Sequence, residues 1–239
     1  MVYIISDSLS LPRLSETFSE NISYSETYPF LVRNSPIFEK SGLELIANGS
    51  RGRTVDSALV VLRNEASHFS PSLVIIQIGI VDCAPRVLRK WQEFVISKTL
   101  PKIAQKLIAK VIKRYRKWFI ILSLPKVYTK KKTFSKIYIE IVNHCVKKGF
   151  KTLVVGICPP SKKLNHFSPG ISSNVISYNK EIRKITKERG VDLLDVEAIH
   201  PDFDEFLLDD GHHLNRDGNM FFSKEISKWI NSENLKNEG

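Results

Sequence analysis

The sequence is poor in cysteine and lacks the spacings that are typical of thiol-based scaffolds. Among its 239 residues there are three cysteines, Cys83, Cys145 and Cys158, and no two of them form a C-x-x-C pair. An odd number of widely separated cysteines predicts neither a disulfide framework nor a zinc site. We therefore expect the protein to reside in a reducing compartment.

Long hydrophobic runs are missing as well, and acidic residues are outnumbered. No stretch approaches the roughly 18 consecutive apolar residues that a membrane-spanning helix needs. Met1 leads directly into the apolar run Val2–Ile5, which leaves no room for a secretion signal and favours the cytoplasm. The 36 lysines and arginines exceed the 25 aspartates and glutamates, and this surplus favours anionic partners without selecting one.

Several enzyme motifs are also absent. The chain has no G-x-S-x-G elbow, which argues against the α/β-hydrolase fold, and no HExxH zinc motif. Gly49 and Gly52 match neither the G-x-G-x-x-G pattern nor a P-loop, so nucleotide binding is not indicated.

Five short apolar runs alternate with helical patterns along the chain. Runs of this kind are typical of buried parallel strands, and we predict strands at Val2–Ser6, Leu43–Ala47, Leu73–Ile78, Thr152–Ile157 and Val191–Asp195. Parallel strands need crossover connections, so alternating strands and helices predict a sheet covered on both faces. The expected fold is a three-layer α/β/α arrangement with a flavodoxin-like, doubly wound sheet of five parallel strands, in one domain over residues 1–239.

The longest helical pattern is strongly basic. It runs from about Arg86 to Lys117, with a lysine or arginine at every fourth position from Lys98 onward. We interpret residues 86–150 as a basic helical insertion whose charges form a solvated face. Contact with an anionic membrane surface or an acidic polymer is the alternative. Its aromatic residues Trp91, Tyr115 and Trp118 occupy core-like positions, so no nucleic-acid partner is expected.

The remaining helical patterns are shorter. We predict helices over Phe134–Lys147, Val175–Glu188 and Gly218–Ile230, and a polar, frayed tail from about Asn231. The run Trp118–Leu124 fits either a continued helix or a sixth strand, and we favour a helical or irregular segment.

Two distant segments carry the residues of a possible nucleophilic site. Ser8 directly follows the first predicted strand, at the sheet edge where doubly wound folds bind ligands. A serine hydroxyl needs a base that a third group orients. Asp210 lies three residues before His213, and the intervening Gly211 permits a turn that brings carboxylate and imidazole together.

The sequence thus predicts a Ser8–His213–Asp210 triad. Asp209 and His212 have the same spacing and form a rival pair. The adjacent histidines also raise the possibility of a metal, but no third cluster of ligands accompanies them, so we predict no metal.

At these residues the chain resembles the SGNH (GDSL-type) hydrolase family. The family blocks GDS, a lone Gly, GxND and DxxH correspond in order to Ser6-Asp7-Ser8, Gly52, Gly79-Ile80-Val81-Asp82 and Asp210–His213. The resemblance implies that Ser8 is the nucleophile, His213 the general base and Asp210 its orienting partner, with the Gly52 amide as an oxyanion donor and no cofactor.

A longer phrase suggests a subgroup of that family. The segment from Gly79 to Arg86 reads GIVDCAPR, which is similar to members associated with bacterial surface-polysaccharide synthesis. This similarity implies an O-acyl, and specifically O-acetyl, ester of a carbohydrate or glycan precursor as the substrate, and hence a deacetylase.

Two positions depart from the family pattern. Ser6 replaces the first glycine, and Val81 replaces the asparagine whose side chain normally donates to the oxyanion. Losing such a donor costs on the order of 100- to 1,000-fold in turnover. The oxyanion would then depend on the amides of Ser8 and Gly52, helped by Arg86 or a rearranged amide near Val81. Asp82 is expected to fix the loop by hydrogen bonds.

Three other functions remain open. The same acyl-enzyme could pass its acyl group to a sugar hydroxyl, as in an O-acyltransferase. The protein could also be a lipid esterase or thioesterase, whose basic helix would bind a membrane or the phosphates of a coenzyme. Finally, the missing asparagine could mark a binding protein that has lost its chemistry.

Overall fold

The architecture follows from the five apolar runs. A computed structural model describes residues 1–16, 18–122 and 126–238. Its strands are β1 Val2–Ser6, β2 Leu45–Gly49, β3 Leu73–Gln77, β4 Lys151–Val155 and β5 Asp192–Leu194. All pairings are parallel, and the strand order is β2-β1-β3-β4-β5. This order is the flavodoxin-like doubly wound arrangement, so the predicted fold class is confirmed.

Helices cover the sheet on both faces. They are α1 Tyr28–Arg33, α2 Pro36–Ser41, α3 Val55–Val61, α4 Ser67–Phe69, α5 Ile80–Cys83, α6 Lys90–Thr99, α7 Lys102–Leu122, α8 Lys131–Lys147, α9 Lys162–Phe167, α10 Ile171–Arg189, α11 Val196–Ile199 and α12 Arg216–Glu238. A π-helical turn over Leu62–Ala66 joins α3 to α4, and short 3-10 helices lie at Ser8–Ser10, Tyr24–Glu26 and Asp204–Phe206.

The two central strands are buried on both sides. Every residue of β1 and β3 is buried, and successive side chains point to opposite faces of the sheet. One core contains Tyr3 and Ile5 with residues of α3, α8 and α10, whereas the other contains Val2 and Ile4 with residues of α1 and α12. The continuous apolar runs therefore fill two separate cores.

Some boundaries differ from the sequence expectations. β2 begins two residues later than predicted, because Gly42 ends α2 with a left-handed φ of 62° and the chain needs Leu43 and Glu44 to reach the sheet. β3 and β4 end one and two residues earlier than expected, at Gln77 and Val155.

The long basic helix is two helices. Leu100 is extended, with φ −102° and ψ 146°, and separates α6 from α7. Pro101 causes this break, since proline has no backbone N–H and disfavours the helical conformation of the residue before it. The helix α7 continues to Leu122, so Trp118–Leu122 is helical, while residues 123–125 lie outside the described part of the chain.

The three other predicted helices all extend further than expected, and α10 covers Ile171–Arg189 where we predicted Val175–Glu188. α8 begins at Lys131 and buries Phe134, Tyr138 and Ile141 in the core beside the sheet, unlike the exposed helices α6 and α7 that precede it. The last helix continues past Ile230 to Glu238, where we expected a frayed tail.

The helices α6 and α7 expose apolar as well as charged side chains. Trp91, Tyr115 and Trp118, which we expected at core-like positions, are 60%, 46% and 60% exposed. Over the residues that the structure describes, we find no helix with the length and apolar character needed to cross a membrane.

Candidate active site

Ser8 lies at the carboxyl end of β1. The Asp7 carboxylate accepts a hydrogen bond of 3.0 Å from the Leu9 amide, and this bond caps the 3-10 helix that begins at Ser8. The Asp7 amide donates to the Gln77 carbonyl at the end of β3, over 3.1 Å. Asp7 is fully buried, and burial raises the pKa of its carboxyl to about 6. The turn after β1 is thus held by hydrogen bonds from the backbone amides on both sides of Ser8, one to a side chain and one to a carbonyl.

Asp210 and His213 lie together in the loop before α12. One carboxylate oxygen of Asp210 accepts from His213 Nδ1 over 2.6 Å. The other accepts from the amides of His212 and His213 over 3.2 and 3.1 Å. Gly211, between them, has a φ of 78°, and a Cβ there would lie 2.1 Å from Ser161 Oγ. The loop therefore needs glycine at this position.

These two segments meet at the edge of the sheet. His213 Nε2 lies 3.0 Å from Ser8 Oγ, although the two residues are 205 positions apart. Both side chains are nearly inaccessible, at 8% exposure for Ser8 and 7% for His213. The hydroxyl, imidazole and carboxylate thus form one continuous chain of hydrogen bonds.

The surroundings favour a neutral imidazole beside an ionised carboxylate. Burial lowers the pKa of His213 and Arg13 adds to this effect, while Asp210 opposes it. Burial also disfavours ionisation of Asp210, but its hydrogen bond from His213 and the nearby histidines outweigh that penalty and hold its pKa well below the ordinary value. A neutral His213 can accept a proton from Ser8, and Asp210 can stabilise the resulting imidazolium.

The rival pair of Asp209 and His212 does not form. Asp209 accepts instead from the Ser19 amide over 2.7 Å. His212 Nδ1 is buried and makes no hydrogen bond within the described residues, and burial lowers the pKa of this imidazole to about 4.

Ligand atoms of Asp210, His212 and His213 lie within 4.8 Å of one another, a spacing that could hold a metal ion. Both ring nitrogens of His213, however, are already hydrogen-bonded, one to Ser8 and one to Asp210. A metal ion held by His213 would have to displace one of these partners.

Arg13 is a site residue that the sequence did not reveal. Its guanidinium contacts His213 Nε2 and donates to the Ser8 carbonyl over 3.3 Å. The short antiparallel bridge between Arg13 and Ile22 fixes this part of the chain. No motif includes Arg13, and only the folded loop brings it to the site.

A cavity of about 280 Å³ opens beside Ser8. Its apolar wall comes from Ile80, Val81, Ala84, Leu164 and Ile171, and its polar wall includes Arg86, Arg116 and Ser168. Val81 thus borders the same space as Ser8, at the position where the family has asparagine, and its side chain offers no hydrogen-bond donor.

Three residues that the sequence analysis named, Asp82, Cys83 and Gly52, are not among the described residues that line this cavity. The buried Asp82 carboxylate accepts from the Val55 amide and from Thr129 Oγ1, over 3.1 and 2.5 Å, so it fixes the loop after β3 to the start of α3. Cys83 is buried, and burial raises the pKa of its thiol. Gly52 lies in the exposed turn after β2 with φ 71° and is not among the described residues that line the cavity.

A larger cavity of about 490 Å³ lies between α9, α10 and the loop before α12. Its walls include Pro159, Pro160 and Phe203, and it contains none of Ser8, Asp210 and His213. The smaller cavity is therefore the one associated with the serine.

Solved structures share this architecture. A lipase/acylhydrolase from Enterococcus faecalis superposes with a TM-score of 0.65 at 16% identity, covering 97% of this chain and 95% of the other. An acetyl xylan esterase named AlAXEase gives 0.64 at 17% identity, with coverages of 96% and 98%. An acetyl xylan esterase from Geobacillus stearothermophilus gives 0.61 at 13% identity, with coverages of 93% and 90%. At such identities these likenesses show the fold.

The sequence itself carries the family relationship. No curated protein matches the chain. The profile of the family described as GDSL-like Lipase/Acylhydrolase matches residues 12–226, a range that includes Asp210 and His213 and begins after Ser8. With nearly the whole chain matched and the sheet order in agreement, the protein belongs to the GDSL-like lipase/acylhydrolase family.

Proposed function

We propose that the protein is a serine esterase that uses Ser8, His213 and Asp210. The observation that carries this proposal is the chain of hydrogen bonds from Ser8 Oγ through His213 to Asp210, of 3.0 and 2.6 Å, beside a cavity of about 280 Å³. This is the arrangement that nucleophilic acyl transfer requires.

The reaction begins when Ser8 Oγ attacks the acyl carbonyl carbon and His213 Nε2 takes the hydroxyl proton. The amides of Ser8 and Gly52 stabilise the tetrahedral oxyanion. The intermediate then collapses, and His213 returns its proton to the leaving alcohol. Water, activated by the same imidazole, hydrolyses the acyl-Ser8 ester and regenerates the serine.

The substrate we propose is an O-acetyl or other short O-acyl ester of a carbohydrate. The cavity is small, and residues such as Ile80 and Val81 give it an apolar wall that suits a short acyl chain. Two of the structural neighbours are acetyl xylan esterases by name. The GIVDCAPR phrase adds its resemblance to members associated with polysaccharide synthesis.

Two measurements test this function. The wild-type protein should hydrolyse p-nitrophenyl acetate, and a fluorophosphonate probe should label Ser8. The Ser8→Ala variant should lose both while keeping its circular dichroism spectrum and melting temperature. Hydrolysis that persists in Ser8→Ala would contradict the assignment of the nucleophile.

The substitution at Val81 favours a second candidate, a binding protein without turnover. It makes the opposite prediction, that well-folded wild-type protein remains unlabelled. If the protein is instead an acyltransferase, the fluorophosphonate probe would label it. It would, however, release product faster when an acceptor glycan is added to the acyl donor.

The proposal also extends to the protein's organisation and location. We propose a single domain over residues 1–239 in the cytoplasm, where the three buried cysteines, all free thiols, would stay reduced. The surplus of 11 positive charges is compatible with contact to anionic surfaces.

A further inference from the structure

Two arginines from different segments line the cavity beside Ser8. Arg86 follows the short helix α5, and Arg116 comes from the basic helix α7. Both are half-buried. The helix α7 thus contributes one of its many cationic side chains to the same cavity as the serine.

Neither arginine has an anionic partner in the part of the chain that the structure describes. Arg86 Nη2 donates to the Val81 carbonyl over 3.2 Å, and its guanidinium lies 4.3 Å from the ring centre of Tyr128. Arg116 Nη2 donates to the Pro85 carbonyl over 2.8 Å and contacts Ser168 Oγ at 3.4 Å. Within the described residues, no carboxylate forms an ion pair with either guanidinium.

A carboxylate does lie in the neighbourhood. Glu93 borders an adjacent cavity together with both arginines. Its two oxygens, however, lie 2.6 and 2.7 Å from the hydroxyl of Tyr128, so it is engaged with that hydroxyl instead of pairing with a guanidinium.

The positive charges of Arg86 and Arg116 are not balanced by a carboxylate of the described residues. Burial and the charge of Arg86 together lower the pKa of Arg116, which means that the cation is disfavoured where it lies. The Nε of Arg86 is buried and has no hydrogen-bond partner among the described residues. An anion in the cavity would offset the repulsion and accept from the unused donors, because each guanidinium has five N–H groups and binds planar oxyanions well.

We infer that Arg86 and Arg116 form a subsite for an anionic group of the substrate, so that the preferred ester carries a carboxylate or a phosphate. The inference rests on the proposed esterase function for its turnover and names the class of ester that the site selects. The two arginines determine specificity and take no part in the transfer of protons at Ser8.

The test compares three esters that share one sugar ring: monoacetylated methyl glucoside, the corresponding methyl glucuronide, and the corresponding methyl glucoside 6-phosphate. In wild-type protein, kcat/KM for at least one charged ester should exceed that for the neutral ester about tenfold or more, as expected for hydrogen bonds to a charged group. The charged ester with the larger preference shows whether the subsite favours a carboxylate or a phosphate. Added salt should reduce the preference.

The Arg116→Gln variant should lower the ratio of charged to neutral kcat/KM about tenfold, and Arg116→Lys should restore part of it. Arg114→Gln is the matched control, since Arg114 is an exposed arginine of the same helix and should leave the ratio unchanged. Equal kcat/KM for all three esters in wild-type protein, or a ratio that survives Arg116→Gln, would overturn the inference.

A binding measurement separates this inference from the esterase function. Ser8→Ala protein, titrated in a calorimeter with the unacetylated glucoside, glucuronide and 6-phosphate, should bind a charged sugar more tightly than the neutral one. If wild-type protein hydrolyses none of the esters, the proposed esterase function is wrong. The difference in binding still tests the anionic subsite, because it does not depend on turnover. Equal binding of all three sugars would refute the subsite itself.

Discussion

The imidazole rings of His212 and His213 lie with their centres 3.8 Å apart and their planes tilted by 44°, yet their hydrogen bonds differ completely. His213 contacts both Ser8 and Asp210, at 3.0 and 2.6 Å. The ring of His212 borders the cavity, and its Nδ1 is 3.5 Å from Asp210. Two neighbouring residues of the same chemistry therefore have different expected roles.

Substituting each histidine by glutamine should separate these roles. His213→Gln removes the proposed base, and we expect kcat for p-nitrophenyl acetate to fall by roughly 10³-fold or more. His212→Gln should cost less than about tenfold, because that ring only borders the cavity. Steady-state rates of the two variants at pH 8 provide the comparison. A larger loss in His212→Gln would show that the assignment of the two histidines is reversed.

Replacing Arg13 should move the acidic limb of the pH profile. Burial lowers the pKa of His213 first, and the positive charge of Arg13 lowers it further. Arg13→Gln removes that charge, so the pKa of His213 should rise and kcat/KM should begin to fall at a higher pH than in wild-type protein. The measurement is kcat/KM for a neutral ester between pH 4 and 8. Arg33→Gln, at an exposed position at the end of α1, is the control, and a limb that moves to lower pH would contradict this expectation.

Restoring the family asparagine should increase turnover. Val81 borders the cavity beside Ser8, and its side chain has no donor for an oxyanion. We expect Val81→Asn to raise kcat by about 10- to 100-fold, since one such donor is worth about that much or more. Val81→Leu has the same number of side-chain heavy atoms as the asparagine variant but no N–H, and it should give no increase. An equal rise in both variants would indicate an effect of shape instead of hydrogen bonding.

The strands and the D-G-x-H turn could be predicted from the sequence because both depend on local patterns. The buried strands β1 and β3 read as continuous apolar runs, and the D-G-x-H turn is fixed by Gly211 within four residues. Pro101 is also a local signal for the end of a helix. The helical periodicity on both sides of it nevertheless favoured one continuous helix in the prediction. The predicted β2, Leu43–Ala47, begins two residues too early, because the apolar run includes residues that connect α2 to the sheet.

Arg13 and Arg116 could not have been found in this way. In the sequence Arg116 is one of many cations along a basic helix, and Arg13 belongs to no motif. Their positions depend on how distant segments pack, Arg13 against His213 and Arg116 against the loop that carries Pro85. Long-range placement of this kind has no local signature.

Replacing Asp7 should stabilise the protein at neutral pH. Burial raises the pKa of this carboxyl to about 6, above the value of about 4 in an unfolded chain. The folded state therefore holds the proton more tightly, so the destabilising cost is absent below about pH 4 and is fully present above about pH 6. Asp7→Asn removes the cost while keeping an acceptor for the Leu9 amide.

The free energy of unfolding of Asp7→Asn should thus exceed that of wild-type protein by roughly 1–3 kcal/mol at pH 8 and by little at pH 4. Urea unfolding at both pH values provides the measurement. A gain that is larger at pH 4 would mean that the carboxyl is stabilising when ionised.

The contact between Ser8 and His213 also constrains when the site can exist. Because the hydrogen bond spans 205 positions, the serine leaves the ribosome long before its imidazole partner is synthesised, and until then its hydroxyl has no base beside it. A premature stop between Ser8 and Asp210 would leave an inert serine, so the nucleophile and its base come together only in chains that extend past His213.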